Sequence, residues 1–446
     1  MIFGNSKGFL CRTMLLIIII GVAIRLVVGS LLTYNYDVFS WALIISNIQE
    51  GSGLYDVTGY NYPPVWGHLL AVLGTFTDLF GMDVLAERVP EFIFTEAEIA
   101  NNPHLAFTTT VEFNILIAGF IALFDILTSY LIYYLIREVF KDERKALIGA
   151  AIWMLCPFAI AVGSIGPMFD SLSGAMVLLC ILLLIKDQEF LAGCVFSVAV
   201  LLKLFPAFMI FIFVAYILMK HREEFVRRLA HAVCGAVLFT LVIMLPHLID
   251  GHVIDSLSFI LARASTPSQD LGMIVSMIPI VLYLLAIIME IILARRFVIT
   301  GRRDLNRDFI FFSLFAAMLA MINPGPSQYI LMVAPLLVIG AICISREYKL
   351  PLIILFFATT IYVLASSAAL LTTTVEYTDL LSFDTWYNFD QWLLDTKLFG
   401  MNMYKIIAAV GGWGQYFAVL ICYYLLIKHL RQGEGGHVER IDTAAS

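Results

Sequence analysis

Residues 14–33 read MLLIIIIGVAIRLVVGSLLT, and Tyr34-Asn-Tyr-Asp37 follows at once. The only charge in this run is Arg25. A helix rises 1.5 Å per residue, so a run of about 20 apolar residues covers the ~30 Å hydrocarbon core of a bilayer. Lipid offers the backbone no hydrogen-bond partners, so such a run has to be helical. Lys7 and Arg12 precede it, as in a secretory signal. The run is longer than an ordinary signal core, and no clear A-x-A site follows, so it reads as a retained first span.

Comparable apolar runs recur near 64–80, 113–137, 146–163, 168–185, 190–219, 229–248, 271–294, 308–322, 329–345, 350–372 and 403–427. The chain of 446 residues is 61% apolar and 14% charged, with mean hydropathy +0.92. Soluble domains are about 45–50% apolar and about 25% charged. The short alternating segments of a transmembrane barrel are missing from the sequence. The fold class expected is therefore all-α integral membrane: a polytopic bundle of about 10–13 helices, with an interfacial helix in the first outer loop. Residues 1–431 read as a single transmembrane domain, and 432–446 as a polar, unstructured cytoplasmic tail.

Basic clusters punctuate the runs: Lys141 to Lys145, Lys220 to Arg228, Arg295 to Arg303, Arg346 with Lys349, and Lys428 to Arg431. Positive charge is retained on the cytoplasmic side, so these loops are cytoplasmic. The segments 34–62, 164–170, 248–270 and 373–402, with a turn at 323–326, fall on the other face. They are poor in Lys and Arg and rich in Asp, Tyr, Trp and Asn. Run 190–219 begins and ends beside cytoplasmic charge, yet carries Lys203 and Pro206 at its centre. Two short helices that enter, break at Lys203-Leu-Phe-Pro206 and return would reconcile this, since irregular backbone at depth is tolerated where protein surrounds it. The polar insertion 81–112 has no assigned place.

Chemistry concentrates in the first outer loop. After Asp37, the residues Val38, Trp41, Ala42, Ile45 and Ile48 recur at helical spacing, and Gly51 and Gly53 would end that helix. Asp37 has two readings: a helix N-cap, or a general base held at the membrane surface. Asp170, in Gly166-Pro-Met-Phe-Asp170, is either an N-cap or part of a substrate pocket. Lys203 is an intramembrane cation, a functional candidate by default, although pairing with a core acid such as Asp125 would also explain it. Arg25 reads as the structural partner of an acid. Loop 376–397 carries aromatic and acidic residues that suit either sugar recognition or plain interfacial anchoring. His68, His247 and His252 do not have metal-ligand spacing. Six of the seven cysteines sit inside apolar runs and none forms a CxxC pair, so they read as small core residues.

The order of these features resembles the GT-C superfamily of glycosyltransferases, and within it the polyprenol-phosphate-mannose-dependent mannosyltransferases. The matching pieces are Asp37 after the first span, Gly51 to Tyr55, Tyr62-Pro63-Pro64 and Phe124-Asp125. They continue with Gly166 to Asp170, Lys203 to Pro206, and Asn323-Pro-Gly-Pro-Ser-Gln328-Tyr329. The resemblance implies an inverting transfer of a hexose, mannose first, from a polyprenyl-phosphate donor to a glycan- or lipid-linked acceptor on the extracytoplasmic face. Asp37 would be the base, with Asp56 as second choice. Lys203 and Arg263 would meet the phosphate, and Asp170, Tyr62, Gln328 and Tyr329 would shape the pocket. Asp37 has no adjacent acid, so no metal or other cofactor is expected.

No G-x-G-x-x-G, P-loop or H-E-x-x-H pattern occurs in the sequence, which argues against a Rossmann nucleotide-sugar enzyme, an ATP-driven pump and a zinc protease. No basic tail suggests nucleic acid. The expected localisation is integral membrane, multi-pass, which in a prokaryote would be the plasma membrane. A lipid or solute transporter and a non-catalytic membrane subunit remain the alternatives. A transporter would hold its polar groups near the midplane, whereas here they gather on one face.

Overall fold

The computed structural model describes residues 6–33, 35–56, 60, 62–87, 107–252, 272–300, 304–319, 321, 329–365, 375 and 380–444. The first span is helix α1, Ser6–Leu31. It turns Leu15, Leu16, Ile19 and Val27 outward and buries Gly21, Arg25 and Gly29 against the bundle. The next helices are α2 (Asn35–Gln49) and α3 (Pro64–Phe80). Then come α4 (Val111–Leu135, prolonged by a π-turn Ile136–Phe140) and α5 (Glu143–Met154). After a bent segment 157–165 follow α6 (Asp170–Ile185), α7 (Glu189–Leu202), α8 (Ile210–Lys220) and α9 (Phe225–Ile249). The remainder is α10 (Gly272–Thr300), α11 (Leu305–Leu319), α12 (Ile330–Ile339), α13 (Lys349–Ala365), α14 (Phe383–Asp395) and α15 (Met403–Ala444).

Among the described residues, four stretches are long and apolar enough to cross a membrane: Arg12–Leu31, Val111–Phe140, Arg222–Ile249 and Met403–Arg431. The pair α5 and 157–165, bent by 41°, is a fifth if its two arms make one span. Large apolar side chains point out of the bundle in stripes. On α9 they are Val233, Val237, Leu241 and Leu245; on α15 they are Val410, Trp413, Phe417, Leu420 and Tyr424. Water would penalise such surfaces and acyl chains do not. The architecture is an all-α polytopic membrane protein.

The run 190–219 is a broken hairpin. α7 ends at Leu202, Lys203 is extended (φ −151°, ψ 141°), and a 3₁₀ turn Phe205–Met209 leads into α8. Lys220 at the end of α8 donates to the carbonyls of Leu184 and Ile185 at 3.2 and 2.7 Å and pairs with Asp187 at 2.7 Å. The chain thus returns to the level at which it entered, with Lys203 at the turn. α7 is held from behind by α9. A Cβ on Gly193 would lie 1.9 Å from the Ala232 carbonyl oxygen, and one on Gly235 2.1 Å from that of Phe190. Small residues allow this approach, as is usual between membrane helices. Ser197 completes it by donating to the Ala236 carbonyl at 2.6 Å.

Several expectations need correction. α2 begins two residues before Asp37, so this carboxylate lies in the first turn and is not the cap. The insertion 81–112 starts and ends in an antiparallel strand pair, β1 (Leu85–Glu87) with β2 (Phe107–Thr109); residues 88–106 lie outside the described set. The loop 373–402 contains α14, capped by the Ser382 hydroxyl accepting from the Thr385 N–H, and a small hairpin of β3 (Lys397–Leu398) and β4 (Met401–Asn402). Its aromatic residues follow a helical face that dense acidic residues obscure. Residues 432–444, expected to be an unstructured tail, continue α15 as helix. The turn 323–326 lies outside the described residues.

Candidate functional site

α2 positions Asp37. Its Val38, Trp41, Ala42 and Ile45 are buried, at the i, i+3, i+4, i+7 spacing of one helix face. The Trp41 indole N–H donates to the Pro167 carbonyl at 3.0 Å, which ties α2 to segment 166–169. A Cβ on Gly166 would lie 4.0 Å from Asp37 Oδ2, so the carboxylate faces that segment. At the far end of α2 the Gln49 amide donates to the Gly74 carbonyl and the Thr77 hydroxyl, at 3.1 and 2.9 Å, and so joins α2 to α3. Gly51, with φ +91°, turns the chain away in a conformation that side chains rarely adopt.

The segment 166–169 leads directly into α6. Asp170 is the first residue of that helix, Phe169 takes the cap position, and the Asp170 carboxylate points to Lys203. Lys203 Nζ donates to Asp170 Oδ1 at 2.6 Å, with both side chains buried. The N-cap reading of Asp170 therefore fails, and so does the pairing of Lys203 with Asp125. Asp125 is taken by Arg25, whose Nε donates to Asp125 Oδ2 at 2.8 Å, while Arg25 Nη1 donates to the carbonyls of Gly21 and Met154.

Three aromatic rings face the Lys203 ammonium: Tyr329 at 4.5 Å, Phe169 at 4.9 Å and Tyr62 at 5.8 Å. Rings at these distances attract a cation through their negative faces. Tyr62 and Phe169 also meet edge to face at 5.4 Å, and Trp66 stacks on Phe169 at 4.4 Å. Tyr62 is held by its backbone as well, since the Tyr55 hydroxyl donates to the Tyr62 carbonyl at 3.1 Å.

α2 is not among the helices long and apolar enough to cross a membrane, and Asp37 keeps some solvent exposure. Protein on most sides pushes its carboxyl up from 3.8 to about 7. Burial is the main cause; the Lys203 ammonium opposes it and the Asp170 carboxylate adds to it. Asp37 thus forms one electrostatic unit with Asp170 and Lys203, its own charge depending on both.

Of the sequence candidates, Asp37, Tyr62, Asp170, Lys203 and Tyr329 come together from distant parts of the chain. Asp56 does not: its carboxylate is exposed, accepts from the Gly53 N–H at 3.2 Å and faces His252 at 3.4 Å. Arg263 and Gln328 lie outside the described residues. The sequence reading missed three contributors: Phe169, Trp41 and Trp66. Phe169 sat unnoticed inside the Gly166-to-Asp170 motif, Trp41 was read only as part of an apolar helix face, and Trp66 only as part of the apolar run 64–80. His68 and His247, 179 residues apart, place their Nε2 atoms 3.3 Å apart, as one hydrogen bond between a donor and an acceptor tautomer. Among the described residues, one group has metal-ligand spacing: Asp187, Glu189 and His221, within 4.8 Å of one another. It lies at the opposite end of α7 from Lys203, and Lys220 and Arg228 already neutralise its carboxylates.

A buried ammonium among aromatic rings can receive a phosphate oxygen, and a carboxylate poised near neutrality can take a proton. Residues 105–249, about a third of the chain, match the family model described as dolichyl-phosphate-mannose-protein mannosyltransferase. The matched stretch contains Asp125, Asp170 and Lys203, and it supports a membrane mannosyltransferase family for this chain. No curated protein matches the sequence.

Proposed function

We propose that the chain is an inverting glycosyltransferase that moves a hexose, mannose in the first instance, from a polyprenyl-phosphate donor to a glycan- or lipid-linked acceptor on the extracytoplasmic face. The observation that carries this reading is the meeting of Asp37 with the Lys203–Asp170 pair inside one aromatic surround. The acceptor hydroxyl attacks the anomeric carbon and its proton passes to Asp37. The bond from that carbon to the phosphate oxygen breaks, and the phosphate leaves with the lipid. Lys203 meets the negative charge that gathers on the departing phosphate, and Asp170 gives up part of its hold on the ammonium as that charge grows. A dedicated cofactor has no part in this proposal. The test is purified protein with labelled polyprenyl-phosphate mannose: release of free lipid phosphate together with glycosylated acceptor is expected. Passage of intact donor across the bilayer without its consumption would overturn the proposal in favour of a transporter.

The proposal predicts how rate follows pH. Asp37 works as a base only when ionised, so transfer should rise with pH through about 7. Lys203 lowers the Asp37 value and Asp170 raises it. Asp170→Asn should therefore move this acidic limb to lower pH, and Lys203→Ala should move it higher. Steady-state rates across pH for the three proteins check this; a limb that stays in place in both variants would remove the electrostatic unit from the reaction.

Lys203→Ala should also raise the donor concentration needed for half-maximal rate by about 10- to 100-fold, the worth of one hydrogen bond to a charged group. Acceptor dependence should change far less. A donor KM equal to that of the parent protein would place Lys203 outside the phosphate site.

A further inference from the structure

α4 with its π-turn runs 30 residues from beside α2 to the Arg137–Lys145 region. At 1.5 Å per residue that is roughly 45 Å, so the basic end of the bundle lies about a bilayer away from Asp37. There α5, a π-turn Gly340–Ile344 and α13 enclose a cavity of about 620 Å³. Its wall is apolar, formed by Ile148, Ile152, Ile342, Leu352, Ile353 and Phe356. Leu352 and Phe356 are buried and form the floor, while Ile148 and Ile353 are about half exposed, at 43% and 54%, and open the cavity sideways.

The mouth is cationic. Lys145, Arg346 and Lys349 line it, and all three are exposed. The chain leaves the π-turn in an extended conformation at Ser345 (φ −149°, ψ 141°), whose hydroxyl accepts from the Glu347 N–H at 3.2 Å. This sharp exit sets Arg346 and Lys349 on the same opening. Nearby cations are already taken up, Lys428 by Glu347 at 2.8 Å and Lys186 by Glu138 at 2.7 Å. Among the described residues Arg346 and Lys349 form no ion pair, and Lys145 pairs with the half-buried Asp142 at 3.7 Å.

An apolar slot that opens sideways under a cluster of exposed cations, only one of them with an ion-pair partner among the described residues, fits a molecule with an anionic head and an aliphatic tail. We propose that this cavity binds one anionic phospholipid of the leaflet at the basic end. Its phosphate lies against Lys145, Arg346 and Lys349, and one acyl chain runs along Ile148, Ile152 and Ile353 to Phe356. This site is separate from the sugar-transfer centre and does not depend on that reading.

The test is native mass spectrometry of the full chain in detergent, titrated with dioleoyl-phosphatidylglycerol or dioleoyl-phosphatidylcholine. One phosphatidylglycerol should bind well before phosphatidylcholine does. Each cation near an anionic headgroup is worth roughly fivefold, so the double variant Arg346→Gln, Lys349→Gln should weaken that first binding about 30-fold. Lys141→Gln removes a charge at the same end but outside the cavity, and should leave it within about twofold. Ile353→Trp keeps every cation and fills the slot, and should also abolish the first tight binding. Equal loss in Lys141→Gln and the double variant would reduce the effect to general surface attraction. Unchanged binding in Ile353→Trp would show that no chain enters the cavity. Either result overturns the proposal, as would capture of glycerol phosphate as tightly as the intact lipid.

Discussion

Asp37→Asn lowers sugar transfer by about 10²- to 10⁴-fold, the contribution of a positioned general base, and leaves insertion and thermal stability close to those of the parent. The amide matches the carboxylate in size but cannot accept the acceptor's proton at any working pH. The fold has little stake in the charge. α2 is seated by the burial of Val38, Ala42 and Ile45 and by the bond from Trp41 to Pro167, none of which involves Asp37. The variant should therefore still bind donor lipid while failing to consume it. The measurement is single-turnover release of lipid phosphate beside a thermal unfolding curve in detergent. Full release by a normally folded Asp37→Asn protein would end the assignment of Asp37 as base.

Asp125→Ala should destabilise the bundle by about 3–5 kcal/mol, because it leaves the Arg25 guanidinium buried without its carboxylate. Both side chains have no exposure, and the pair joins α1 to α4 across 100 residues of sequence. The two carbonyls that Arg25 also meets, those of Gly21 and Met154, supply dipoles and cannot neutralise a full charge. The double variant Arg25→Met, Asp125→Leu should recover most of the loss, since an apolar pair of similar volume carries no uncompensated charge. Thermal unfolding of the three proteins decides it. A single Asp125→Ala variant as stable as the parent would show that water or lipid headgroups reach the site.

The membrane class and the break in the α7–α8 hairpin were legible in the sequence because both rest on local patterns. Twenty apolar residues in a row admit one solution in lipid, and a buried Lys with a Pro three residues on marks a place where a helix is readily broken. The site was legible in part. Asp37, Tyr62, Asp170 and Tyr329 stood out as polar or aromatic residues at or near the ends of apolar runs, and Lys203 as a charge at the centre of one. Which acid takes which cation was not legible. Asp125 and Asp170 are both buried acids, and sequence spacing does not reveal that Arg25 reaches the first and Lys203 the second. α14 escaped notice for another reason. Its helical face is written in Trp, Tyr and Phe among frequent Asp, a mixture that reads equally well as an irregular interfacial loop.

The short hairpin that carries Lys203 also bears on how the protein is made. α7 has 14 residues and α8 has 11, each well below the ~20 that an insertion machinery recognises as a span. Neither arm, with an ammonium at its tip, would partition into the bilayer during synthesis on hydrophobicity alone. α6, already made, offers Asp170 to the tip, but the small-residue face that backs α7 belongs to α9, which follows in the chain. The hairpin is therefore expected to seat only after α9 has been made, and a nascent chain truncated before residue 249 should leave Lys203 reachable by aqueous lysine reagents.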